Sequence, residues 1–397
     1  MFYAYNLIVF EIKCDKITKK GGKTTMKQFC IRPTIKQLDT VREFCDTYEI
    51  KEGDLVFVSN STYERYFKDK INGAIVVNYR KYGSGEPTDL MVEGIYEEVK
   101  DMDYHRVFAI GGGTILDVAK LFALKNISPV VDLYDGKLEV KKEKELILIP
   151  TTCGTGSEVT NISILELTTK NTKMGLAVDK LYADEAVLIP ELLESLPFRF
   201  FATSSIDALI HSIESYTSPK ASPFTQIFSL KAMKMILETY KAIAKDGEEA
   251  RKPLIGQVLL ASTYAGIAFG NAGCAAVHAM SYPLGAAYHV PHGEANYAMF
   301  TGVYKKYQEI DPDGSIKELN EYLAEILGCK PEEVYEEIEV LLNHLIPKKS
   351  LKEYGVKEEE LEEFTEVVMT KQGRLMANNY VELDRNTVYG IYKQLYE

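Results

Sequence analysis

The first half of the chain carries its apolar residues in short unbroken runs. Residues 55–59, 74–77, 106–110 and 145–149 are four of them, punctuated by Gly53-Asp54, Asn60, Gly111 and Pro150. Runs of this length without alternation predict strands buried on both faces, as in a parallel sheet covered by helices. Helical stretches separate them, so strand and helix alternate from about residue 37 to 195. Such a sheet binds its ligands at the carboxyl ends of the strands. Beyond about residue 196 the strand signals stop, and residues 224–245, 251–269, 314–327, 331–345 and 357–377 read as helices. The predicted fold class is α/β plus all-α. Residues 26–195 are expected to form an α/β domain and residues 196–397 a helical domain.

Residues 1–25 stand apart, ending in a Lys/Gly/Thr-rich stretch before Met26, and read as an N-terminal extension, Met26 being a candidate alternative start. The opening apolar stretch meets Glu11 and Lys13 after ten residues. It is too short to span a bilayer and lacks the marks of a secretory signal, and no other run reads as a membrane span.

Composition narrows the function. With 397 residues and 46% hydrophobic positions the chain has ample material for a core. Its net charge of −12 and lack of a dense basic cluster argue against nucleic-acid binding and attachment to anionic membrane. The six cysteines (Cys14, Cys30, Cys45, Cys153, Cys274 and Cys329) show no CxxC pair or zinc-ribbon spacing. Free thiols in a reducing cytoplasm are expected.

Two loops after strands carry cofactor chemistry. Gly111-Gly112-Gly113-Thr114 follows the third run and opens a helix containing Asp117. Glycines let a backbone approach a pyrophosphate, and a helix start offers free N–H groups and a positive dipole end. A tight turn would explain a bare glycine triplet nearly as often. The second loop, Pro150 to Asn161, contains Thr151, Thr152, Thr155 and Ser157 beside two glycines. Capping of the next helix would account for it alone. One extended ligand such as a dinucleotide accounts for both loops together.

Asp207 and His211 stand four residues apart in a helical stretch, hence on one face and one turn apart. A carboxylate and an imidazole so placed can share a divalent ion, although such a pair is more often an ion pair or a cap. Of six histidines, three (His278, His289 and His292) fall within one segment dense in small residues. That clustering strengthens the metal reading.

Taken as a set, GGGTILDVAK, PTTCGTGSEVTN, DALIHSIE, and HAMSYPLG followed by VPHG resemble the iron-containing (group III) alcohol dehydrogenases. The resemblance runs from about Met26 to the C-terminus. It implies a Rossmann-like nucleotide domain and a helical metal domain of the dehydroquinate synthase-like type, with the site between them. It implies Fe²⁺, with Zn²⁺ also fitting, held by Asp207, His211, His278 and His292. It implies a pyrophosphate loop at Gly111, Gly112, Gly113 and Thr114, a second cofactor loop at Thr151, Thr152, Thr155 and Asn161, a ribose contact at Lys173, and Phe269 and Asn271 near the nicotinamide. A homodimer or higher homo-oligomer is expected.

Two positions depart from the family pattern. Members that prefer NAD often carry Asp where this chain has Asn60, which still bonds ribose hydroxyls but no longer repels a 2′-phosphate. NAD is expected, with NADP open. Many members also place a second histidine, assigned to proton transfer, four residues after the one matching His278. Here that residue is Tyr282, and His289 is a candidate replacement, a surface histidine being the equal alternative. The segment from Ser262 to Tyr297 carries a likeness to the members acting on a small hydroxy acid and its aldehyde. Tyr264, Asn271 and Tyr282 are then candidates to face the distal carboxylate. The rival readings are a dehydrogenase of butanol or 1,3-propanediol, a lyase of the dehydroquinate synthase type, and a non-catalytic binding protein.

Overall fold

The computed structural model describes residues 28–83, 85–170 and 172–397. The N-terminal extension and Met26 lie outside the described residues. The first half contributes strands β1 (Thr34–Gln37), β2 (Asp54–Val58), β3 (Ile75–Asn78), β4 (Arg106–Gly111), β5 (Glu145–Pro150), β6 (Ile162–Leu167), β7 (Thr172–Ala177) and β8 (Glu185–Leu188). With them come α1 (Val41–Tyr48), α2 (Asn60–Thr62), α3 (Asp89–Val99), α4 (Gly113–Phe122) and α5 (Val130–Tyr134). The second half is helical among the described residues. It contains α6 (Phe198–Thr217), α7 (Pro223–Asp246), α8 (Ile255–Ala272), α9 (Ala276–Tyr288), α10 (His292–Ile310), α11 (Gly314–Leu327), α12 (Val334–Asn343), α13 (Glu360–Lys371), α14 (Gly373–Met376) and α15 (Arg385–Tyr396).

Six strands form one parallel sheet in the order β1-β8-β5-β4-β2-β3. Its register aligns Val58 with Ile110 and Ile110 with Ile149, so the loops after β2, β4 and β5 emerge side by side. Val56, Phe108, Ile110, Ile147 and Ile149 are buried on one face. Leu55, Phe57, Val107, Ala109, Leu146 and Leu148 are buried on the other. Both faces are covered, which is why these strands read as continuous apolar runs.

The sheet has two strands more than the runs announced. β1 (TIKQ) is a mostly exposed edge strand with one apolar residue, and β8 (EAVL) is only four residues long. β6 and β7 pair antiparallel as a separate hairpin, β6 alternating buried and half-buried positions. Two helix expectations also change. The 357–377 stretch breaks at Gln372 into α13 and α14, and 331–345 begins as a 3-10 turn, Pro331–Glu333. The expectation that no further run could span a membrane needs correction as well. Glu248–Ala272 is 25 residues long with hydropathy 1.3, enough by length and composition. Here α8, its main part, packs against α6 and α7, as a core helix does.

α6 explains the weak sequence signal around the metal motif. It is buried from Phe201 to Thr217 apart from Ser204, so it has no broad polar face to give it a periodicity. α10 starts against it. A Cβ on Gly293 would stand 1.9 Å from the Thr203 carbonyl oxygen, so only glycine lets the next-door His292 come this close to Asp207.

Candidate metal and cofactor site

α6 places Asp207, His211 and Glu214 on one face, α9 brings His278, and the first turn of α10 brings His292. Asp207 Oδ1 lies 3.5 Å from His278 Nε2 and 3.7 Å from His292 Nε2. His211 Nδ1 lies 3.9 Å from Asp207 Oδ2, and its ring stacks on that of His278 with centroids 4.6 Å apart. The four side chains proposed as ligands thus come together.

The surrounding hydrogen bonds point ligand atoms inward. Glu214, fully buried, accepts from His278 Nδ1 at 2.5 Å and from the Val277 N–H at 2.7 Å. That leaves His278 Nε2 facing Asp207, buried and without a hydrogen-bond partner among the described residues. His211 Nδ1 meets the Gly154 carbonyl at 3.3 Å, which fixes the donor on that nitrogen and frees Nε2. Asn296 Nδ2 donates to Asp207 Oδ1 at 2.8 Å and to His292 Nε2 at 3.2 Å. An orphaned imidazole nitrogen among two more imidazoles and a carboxylate is the donor set of a divalent transition ion, so the residues fit one.

The electrostatics agree. Burial alone would raise the Asp207 carboxyl, but His211, His292 and His278 outweigh it and hold it below the usual carboxylate range. Burial lowers His211 to about 4, helped by the neighbouring imidazoles, so it is neutral and able to ligate. Burial also lowers His292. His278 goes the other way: burial opposes the charge, yet Glu214 and Asp207 together raise it to about 9. Cys274, not singled out from the sequence, offers its Sγ within 4.8 Å of ligand atoms of His211 and His278. Burial pushes that thiol well up, so it stays protonated and a weak ligand.

A cleft of about 620 Å³ runs from this cluster to the two loops. Gly112, Gly113, Thr114, Asp117, Thr152, Thr155, Asn161, Lys173 and Phe269 all line it. No side chain among the described residues caps α4 at Gly112, so its first amides stay available to an anion. A Cβ on Gly113 would stand 2.7 Å from Thr155 Cγ2, which is why the two loops can close on each other.

Other expected residues sit differently. Gly111 and Thr151 are not among the lining residues; they join the strand ends through a Thr151 N–H to Gly111 carbonyl bond of 3.0 Å. Asn60 opens α2 just past β2, on the same sheet edge but outside the cleft lining. Asp117 lines the cleft, but its oxygens are already occupied. Oδ1 accepts from Ser157 at 2.5 Å and Oδ2 from the Ile164 N–H at 3.0 Å. Lys173 is paired with Glu86 at 3.3 Å.

Tyr282 lines the cleft with its ring 6.1 Å from that of His292, and burial raises its phenol, so it keeps its proton. His289 is exposed at the end of α9 with φ of 53° and does not line the cleft; of its two readings the geometry leaves the surface histidine. Asn271 is also engaged, exchanging hydrogen bonds of 2.8 and 3.0 Å with the Cys30 backbone, and Tyr264 packs against Phe228 outside the cleft. Asn271 is thus already engaged, and Tyr264 stands away from the site. Glu214 could have been found in the sequence, being one helical turn beyond His211; Asn296, Arg374 and Asn378 had no local signal.

Residues 36–190 match the model of the iron-containing alcohol dehydrogenases, and residues 201–396 match that of the C-terminal part of the Fe-containing alcohol dehydrogenase family. The chain is 47% identical to the 4-hydroxybutyrate dehydrogenase of Clostridium kluyveri, over 94% of this chain and 100% of that one. It is 33% identical to long-chain-alcohol dehydrogenase 1 of Geobacillus thermodenitrificans, over 74% of this chain and 75% of that one. The solved sulfoacetaldehyde reductase of Bifidobacterium kashiwanohense, in complex with NAD⁺, superposes with TM-score 0.81 at 24% identity, covering 94% of this chain and 99% of that one.

Proposed function

The chain belongs to the iron-containing alcohol dehydrogenase family, and on that premise we propose that it interconverts 4-hydroxybutyrate and succinate semialdehyde with NAD(H). The Clostridium relative, with which this chain shares nearly its whole length, is a 4-hydroxybutyrate dehydrogenase, and oxidation of that terminal alcohol gives succinate semialdehyde. The observation that carries the chemistry is the buried Nε2 of His278, facing Asp207 with no hydrogen-bond partner among the described residues. Asp207, His211, His278 and His292 hold Fe²⁺, or Zn²⁺ in the same donor set. When bound, the ion supplies Lewis acidity to the alcohol or carbonyl oxygen, and the nicotinamide supplies the hydride acceptor or donor.

The chain's own residues do the rest. Glu214 holds the His278 proton at Nδ1 and so keeps Nε2 turned inward. Phe269 stacks on His211 with centroids 4.1 Å apart, an apolar wall that excludes water from the ligand cluster. The amides of Gly113 and Thr114 take the pyrophosphate, with Thr152 and Thr155 opposite. Asn60 and Lys173 take ribose hydroxyls, Asn60 tolerating NADP as well. Tyr282 keeps its phenolic proton and acts as a hydrogen-bond donor to the substrate oxygen, never as a base.

We place the cofactor on residues 26–195 and the metal on residues 196–397, in a cytoplasmic homo-oligomer, most simply a dimer. The test is anaerobic reduction of succinate semialdehyde after reconstitution with Fe²⁺ or Zn²⁺, comparing NADH with NADPH. Turnover that needs the ion and prefers NADH supports the reading. Preference for butanal or 3-hydroxypropanal would return the chain to the rival alcohols.

A further inference from the structure

A substrate with a carboxylate at one end needs a cation at a set distance from the metal cluster. The cleft has three basic lining residues: Lys173, Lys220 and Arg374. Lys173 is already matched to Glu86 at 3.3 Å. Lys220 sits in the exposed turn after α6; among the described residues only its backbone N–H is bonded, to Ser218 Oγ at 3.2 Å. Arg374 has neither an ion pair nor a side-chain hydrogen bond among the described residues.

Its side chain is exposed, as that of Lys220 is, but the backbone that carries it is tied down. α14, which carries it, packs against α9, the helix of His278 and Tyr282. Asn378, 2% exposed, donates from Nδ2 to the Cys274 carbonyl at 3.0 Å and to the Arg374 carbonyl at 3.4 Å. One amide thus ties the Arg374 turn to the segment leading into His278. A Cβ on the adjoining Gly273 would lie 2.5 Å from that Nδ2, so the tie depends on glycine there. Asn378 lines the same cleft, and its leftover Oδ1 is buried with no partner among the described residues.

We propose that Arg374 is the residue that receives the distal carboxylate of the substrate, with Asn378 as the residue that positions it. This rests on the reading that the substrate is an ω-carboxy alcohol or aldehyde. A guanidinium offers two parallel N–H donors to a carboxylate, which fixes direction as well as charge. An uncharged aldehyde gains nothing from it.

The test compares succinate semialdehyde with butanal in the ion-loaded enzyme, for wild type, Arg374→Gln, Arg374→Lys and Lys220→Gln. Arg374→Gln is expected to lower the ratio of kcat/KM for the acid over that for butanal by roughly 30-fold, the Lys variant retaining part of it. Lys220→Gln should move the ratio by less than about threefold. Binding of butyrate followed by calorimetry should weaken in Arg374→Gln in parallel. A wild type with no preference for the acid would remove the underlying reading and this proposal together. A wild type that prefers the acid, with the ratio unmoved in Arg374→Gln or lost in Lys220→Gln instead, would overturn Arg374 alone.

Discussion

Glu214 and His278 share a hydrogen bond of 2.5 Å between Oε2 and Nδ1 in the middle of the helical half, both side chains almost entirely buried. The other carboxylate oxygen is committed to the Val277 N–H, so Glu214 cannot turn away. A ligand imidazole held this way has one tautomer and one orientation. Glu214→Gln keeps the shape but weakens the acceptor. Metal affinity, read by competition with a chromophoric chelator, should fall roughly 10- to 100-fold, the range for such supporting partners. An unchanged affinity would mean that the pair serves folding only.

The same pair makes metal binding depend on pH. His278 is raised to about 9, so without an ion its ring carries two protons at neutral pH, and Nε2 must lose one to ligate. His211, lowered to about 4, is already neutral and releases none. Between about pH 6 and 9 the apparent affinity should therefore rise close to tenfold per pH unit and level off above. Proton release measured by calorimetry in two buffers of different ionisation enthalpy gives the stoichiometry directly. A pH-independent affinity across this range would contradict a protonated His278.

What could be read from the chain follows from where the physical signal lies. Strands β2, β4 and β5 are buried on both faces and show as unbroken apolar runs, whereas β1 has almost nothing apolar to show. Asp207 and His211 were visible because a helix repeats every turn, and Glu214 lies on that same repeat. Asn296, which fixes Asp207, and Arg374, which reaches the cleft from α14, enter through tertiary packing that no local spacing encodes. His289 shows the converse: closeness in sequence to His292 did not bring it into the cleft, because α9 ends there in a left-handed residue.

That left-handed residue gives a further prediction. His289 has φ of 53°, a conformation costly for a side chain with a Cβ and natural to glycine. His289→Gly should raise stability by about 0.5–1 kcal/mol, within the range for relief of backbone strain less the entropy cost of glycine. The pH–rate profile should be unchanged. Denaturant unfolding and a kcat/KM profile from pH 5 to 9 check both. A lost acid limb would restore His289 to the proton path.

Gly293 tests how far the metal cluster depends on close helix approach. A methyl group there would meet the Thr203 carbonyl at 1.9 Å and Asp207 Cβ at 3.4 Å, both on α6. Backbone cannot yield as a flexible side chain can, so Gly293→Ala must push the start of α10 away from α6. Overpacking of this kind costs about 1–3 kcal/mol. The shift falls on His292, the first residue of α10, whose Nε2 stands 3.7 Å from Asp207 Oδ1. Metal content after dialysis should therefore fall in Gly293→Ala even at temperatures where the protein is fully folded by circular dichroism. Gly390→Ala, where a Cβ meets nothing within 4 Å, serves as the control. Full metal retention in a destabilised Gly293→Ala protein would show that α10 yields without moving His292, and would separate packing at this crossing from the geometry of the site.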